Sequence, residues 1–143
     1  MVGQTIRIIH QHKHFYQVVS KSSIPQSGIF TVGLKILYSR LSTIYFGLTV
    51  RNRQIFQYTG QSRESVSYKL SGGKRFYEDG VRYENEVCPV QQGETLWISL
   101  NFETMMTSWI IEGKSELNRK LPSIMHGKPL YVFVSMQDEN DTV

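Results

Sequence analysis

Between Gly93 and Met136 the chain keeps a spacing that few architectures can use. Leu96, Ile98, Leu100 and Phe102 are apolar at every second position, and a Gly-Glu turn precedes them. After Glu103-Thr104 a second run sets Met105, Thr107, Trp109 and Ile111 on one face and stops at Glu112-Gly113-Lys114. A polar link ending in Leu121-Pro122 and a break from Gly127 to Pro129 lead to Leu130–Met136, apolar on both faces. Strand side chains alternate with a period of two, whereas helical faces repeat every 3.6 residues. The stretch therefore reads as strand, turn, strand, loop and buried strand.

The same period recurs upstream. Phe15–Val19 reads as a short strand, and Lys21–Ser27, with Pro25, as a loop. Phe30, Val32, Leu34 and Ile36 share one face of a strand opened by Gly28. Tyr38–Thr43 reads as a turn, after which Ile44, Phe46, Leu48 and Val50 alternate again. Gly47 stands inside that strand, a place where glycine marks close backbone approach or a bulge. Arg51–Arg63 is a polar strand end and loop, Val66, Tyr68 and Leu70 alternate with Ser65, Ser67 and Lys69, and Ser71–Lys74 is a turn. Arg75–Cys88, rich in aromatic and charged residues, reads as a long, partly packed loop or irregular hairpin. Alanine, the best helix former, is absent from the chain. These signals predict an all-β, antiparallel two-sheet sandwich. The 143 residues suit one domain, with its core over about 14–136, an arm or edge strand at 1–13 and a frayed acidic tail at 137–143.

Composition narrows the classes. No apolar run is long enough to span a bilayer, so no membrane association is expected. The N-terminal apolar patch is broken by Arg7 and His10, unlike a signal peptide. Cys88, the single cysteine, allows no internal disulfide or zinc-binding ring and fits an intracellular location, cytoplasmic or nuclear. A formal charge of +4 permits an acidic partner without demanding one. His10, His12 and His14 would point to one side of an extended segment, a pattern open to zinc. With no further placed ligands, an exposed polar arm is the simpler reading, and no metal or cofactor is assigned.

The order of these pieces resembles the SPRY domain, the core of the B30.2 module. The counterparts are Gly28 through Ile36, Tyr45-Phe46-Gly47-Leu48, Ser67-Tyr68 and Gly73-Lys74. They continue with Gly93-Glu94, Leu96–Phe102, Glu103, Trp109 through Glu112-Gly113, Leu121-Pro122 and Leu130–Met136. The match is divergent. Gly33 stands where the family has an acidic residue, Thr31 where it has an aromatic one, and Val66-Ser67 where it has Trp-Gly. Asn101 replaces the aspartate, Met105-Met106 the Gly-Thr of the hairpin turn, and Glu112 the asparagine before Gly113. The resemblance implies a module that binds protein or peptide through loops at one end or face of the sandwich.

No G-x-S-x-G, phosphate loop, H-E-x-x-H or cysteine pair is present. Glu84 and Glu86 lack the apolar alternation of a glycosidase cleft strand, and Cys88 beside Pro89 reads as packing rather than a nucleophile. The chain is therefore not expected to be an enzyme. Tyr and Arg, the residues that dominate binding hot spots, concentrate in the loop-like pieces. These are Tyr38 and Arg40, then Arg51, Arg53, Tyr58 and Arg63, then Arg75, Tyr77, Arg82 and Tyr83. Their guanidinium forks suit an acidic peptide, so a protein or peptide ligand is expected, with the chain as adaptor or subunit of a larger assembly. Single-stranded nucleic acid and a lectin-like carbohydrate site are the alternatives. The C-terminal Asp141-Thr142-Val143 offers a carboxylate to a groove, although a frayed tail without a role is the plainer reading. Trp109 shares its face with Ile111 and belongs to the core, whereas Trp97 points to the opposite side.

Overall fold

The computed structural model describes residues 16–38, 44–50, 63–70, 75–84, 87–136 and 143. The His10, His12 and His14 arm lies outside them. Among the described residues ten strands form two antiparallel sheets. The six-stranded sheet has the order β1 (Tyr16–Val19), β10 (Tyr131–Met136), β3 (Tyr45–Thr49), β4 (Ser65–Lys69), β5 (Arg75–Glu78), β6 (Val81–Glu84). The four-stranded sheet runs β2 (Ile29–Lys35), β7 (Thr95–Asn101), β8 (Met106–Ile111), β9 (Ser115–Lys120). A 3-10 turn, Ser123–Met125, precedes β10. No helix among the described residues is long and apolar enough to cross a membrane.

The alternating apolar sets meet between the sheets. Leu34, Leu96, Ile98, Leu100 and Ile111 from one side pack on Phe46, Leu48, Val66, Tyr68 and Val134 from the other. Trp109 is the centre of this core: its ring stacks on Tyr68 at 6.1 Å and meets the edge of Phe76 at 5.0 Å. Burying an indole would leave its N–H without water. Nε1 instead donates to Thr107 Oγ1 at 3.0 Å, and Thr107 Oγ1 donates onward to the Arg119 carbonyl at 2.7 Å.

Three segments depart from the sequence reading. The polar link after Gly113 is strand β9, placed by register against β8 with Leu117 opposite Trp109. An edge strand with one apolar residue carries too little periodicity to be recognised. Arg75–Cys88 contains a regular hairpin, β5–β6, turned by Asp79-Gly80 with φ of 46° and 83°. Positive φ at both positions is what a two-residue type I′ turn needs, and Asp-Gly is its usual sequence. Val143 is buried in the main core, and residues 137–142 of the tail lie outside the described residues.

Candidate interaction surface

Strand alternation gives the six-stranded sheet a second, outward face. One rung of it, read through the register, is Ser135, Tyr45, Lys69, Arg75 and Glu84. The next is Phe133, Gly47, Ser67, Tyr77 and Arg82. An outer face of this composition would ordinarily be solvated. Here Tyr45, Tyr77 and Phe133 form a second buried cluster, against which Val19 packs. The Tyr45 and Tyr77 rings lie 5.8 Å apart at 58°. Gly47 permits the local geometry: a Cβ there would fall on the Val66 carbonyl oxygen, so β3 and β4 approach too closely for any side chain.

Burial sets the electrostatics of this face. Burial, then the neighbouring Tyr77, holds the Tyr45 hydroxyl well above the ordinary tyrosine range. Lys69 is 8% exposed, and burial, followed by the Arg75 charge, pulls its pKa below that of a free lysine. Ser67 Oγ and Ser135 Oγ are buried without a hydrogen-bonding partner. Buried hydroxyls of this kind are uncommon in folded proteins. The face thus holds a buried lysine and buried hydroxyls in a desolvated setting, where electrostatic interactions are stronger than in water.

The sheet margin carries the rest. Arg82 is exposed beside Tyr77, and Arg75 is half-buried. Arg63 is largely exposed and stands 3.7 Å from Asp79 Oδ2, while Asp79 Oδ1 accepts the Glu64 N–H at 2.7 Å. That carboxylate ties the β5–β6 turn to the start of β4. On the inner side of the margin, Arg119 donates through Nε and Nη2 to Glu78 at 2.8 and 2.9 Å and covers the Tyr83 ring at 4.4 Å. This clamp joins β9 of one sheet to β5 and β6 of the other.

The structure therefore divides the sequence-predicted site residues. Arg75 and Arg82 stand on the outer face of β5 and β6, whereas Arg63 lies beside the β5–β6 turn, at the opposite end of β4 from Lys69, the partner of Arg75. Tyr38 is 45% exposed after β2, and no described contact joins it to them. Tyr77 is 1% exposed, its ring packed in the cluster with Tyr45 and Phe133. The Tyr83 ring is covered by Arg119. Arg40, Arg51, Arg53 and Tyr58 lie outside the described residues. Lys69, Ser67 and Ser135 are buried on the outer face, where polar residues alternating with apolar ones read as solvated. Among the described residues no group of three or more His, Cys, Asp and Glu side chains could hold a metal ion.

No protein-family model matches the chain, and no curated protein does. Solved structures do. A human SPRY domain superimposes with a TM-score of 0.75 at 15% identity, over 99% of this chain and 90% of that one. The SPRY domain of human HERC1 gives 0.72 at 13% identity, over 90% and 80%. The fold is that of the SPRY domain. The PSpry domain of TRIM65 agrees, with a TM-score of 0.72 at 13% identity over 97% of this chain and 78% of that one. At such identities the SPRY likeness is one of backbone architecture, and the site residues stand on their own chemistry.

Proposed function

We propose that this SPRY-type sandwich is a non-catalytic protein-interaction module that docks an acidic peptide or partner protein. The observation that carries this reading is the β5–β6 edge of the six-stranded sheet, where Arg82 is exposed and Arg75 stands beside buried Lys69, with exposed Arg63 by the turn at its other end. A carboxylate approaching that margin meets guanidinium forks able to bind it in two-point fashion. Loops carried by a rigid sandwich are where recognition usually resides, so Arg40, Arg51, Arg53 and Tyr58 extend the proposed surface. The chain acts in this reading as an adaptor or a subunit of an intracellular assembly, which suits its free Cys88.

An array of acidic peptides tests the proposal, with the wild-type chain and an Arg63→Ala/Arg82→Ala variant bound side by side. A second variant carries Arg51→Ala, Arg53→Ala and Tyr58→Ala. We expect at least one variant to lose binding about tenfold or more while its circular dichroism is unchanged. Full binding by both folded variants would overturn the placement of the surface. A steep loss of affinity between low and moderate salt on single-stranded nucleic acid, with silence on peptides, would favour the nucleic-acid reading instead.

A further inference from the structure

The outer face of the four-stranded sheet is built on different lines. Register aligns Gly33, Trp97, Ile110 and Glu116 on one rung and Thr31, Ser99, Ser108 and Asn118 on the next. The second rung is closed on itself: the Thr31 and Ser99 hydroxyls share a hydrogen bond of 3.2 Å, and Ser108 Oγ lies 2.6 Å from its acceptor, Asn118 Oδ1. The first rung is open. Trp97 lies across Gly33, where a Cβ would stand 2.6 Å from two ring carbons. The ring nevertheless keeps 40% of its surface exposed. It is supported from beneath by bare backbone and accessible from outside.

Beside the ring opens a cleft of about 340 Å³ lined by Gly93, Glu94, Thr95, Trp97, Ile111 and Glu112. Its two carboxylates differ. Glu94 is engaged: Oε2 accepts the Gln91 N–H at 2.7 Å, and Lys114 Nζ lies 3.3 Å away. Lys114 also donates to the Pro89 carbonyl at 2.9 Å, so its ammonium is committed. Glu112 has no ion pair among the described residues, nor has Glu116, which faces Ile110. Among the described residues Lys35, opposite Thr95 on the adjoining strand β2, is a further cation beside the cleft. An exposed indole next to an unpaired carboxylate is complementary to a cation: the ring quadrupole attracts it and the carboxylate supplies the counter-charge. An acidic ligand would be repelled.

We propose that this cleft binds a lysine or arginine side chain presented by a basic segment of a protein partner, with the cation over Trp97 and its charge toward Glu112. The site lies on the opposite sheet from the arginine-bearing margin, so it does not depend on the function proposed there.

The test uses the two indole N–H signals in nitrogen-edited NMR spectra. A Trp97→Phe variant assigns them. Trp109, buried and bonded to Thr107, is the internal control. The probe is the blocked peptide acetyl-Gly-Ser-Arg-Ser-Gly-amide, beside the same peptide with citrulline, which keeps the shape and removes the charge. We expect the Trp97 signal alone to move with the arginine peptide. Affinity should fall about tenfold with citrulline and about as much in the Glu112→Gln variant. Four results would each overturn the proposal: no movement at millimolar arginine peptide, equal movement with citrulline, unchanged affinity in Glu112→Gln, or movement of Trp97 with a neutral oligosaccharide only. The last would assign the face to carbohydrate. Arg63→Ala/Arg82→Ala should leave the titration unchanged, which separates this site from the other surface.

Discussion

The two outer faces of this sandwich began from the same pattern and ended in opposite states. Both are the polar halves of alternating strands. On the four-stranded sheet that half stays in solvent, with Thr31, Trp97, Glu116 and Asn118 exposed. On the six-stranded sheet Tyr45, Ser67, Lys69, Tyr77 and Ser135 are all buried. A strand's alternation decides which side each residue takes but not what lies against that side. The difference also sorts the chemistry: cations and unpaired hydroxyls on the covered face, an accessible indole with free carboxylates on the open one.

The contrast can be broken most directly with the aromatic residues. Tyr77→Ala should cost about 3–5 kcal/mol, the range for truncating a buried aromatic residue. Trp97→Ala, on the open face, should cost about 1 kcal/mol or less. Urea unfolding followed by circular dichroism measures both, and equal losses would mean the faces are equally buried. The glycines repeat the comparison. In Gly47→Ala the new methyl group meets the Val66 backbone, which cannot move aside, and about 3 kcal/mol or more should be lost. In Gly33→Ala the obstacle is the exposed Trp97 ring, which can swing into solvent, so the loss should stay below about 1 kcal/mol.

The margin joining the sheets gives a smaller effect. Glu78→Gln weakens the two-point contact with Arg119 across the sandwich and should cost about 1–2 kcal/mol by the same assay. Alkaline titration then compares the two faces of one sheet. Tyr68, on the inner face, is pushed up to about 12, chiefly by burial, and Tyr45, on the outer face, is raised for the same main reason. Folded pKa values above the unfolded value of about 10 mean that both contribute stability below that pH. It is lost as pH rises through the folded values. Thermal unfolding from pH 9 upward should show the decline, and Tyr45→Phe should lessen it. A Tyr45 that ionises near pH 10 in the folded chain would show the outer face to be solvated. The smallest effect belongs to Ser67→Ala. Removing a buried hydroxyl that has no partner should leave stability unchanged or raise it by about 1 kcal/mol. A clear loss there would reveal a partner for that oxygen.

What was legible in the sequence was the part governed by local spacing. Period-two runs without helical signals dictated an all-β chain, the inward set from Phe30 to Val134, and Trp97 and Trp109 on opposite sides of neighbouring strands. The strength of Gly47 as a mark of close approach was likewise local. The edge strand β9 and the Asp79-Gly80 hairpin were less visible, because one carries a single apolar residue and the other is short and highly charged. The burial of Tyr77, Lys69 and Ser67, the seating of Val143 in the core and the clamp of Arg119 on Glu78 and Tyr83 were decided only by tertiary structure. Each depends on segments far apart in the chain meeting in space, and no spacing within one strand encodes what another strand will place beside it.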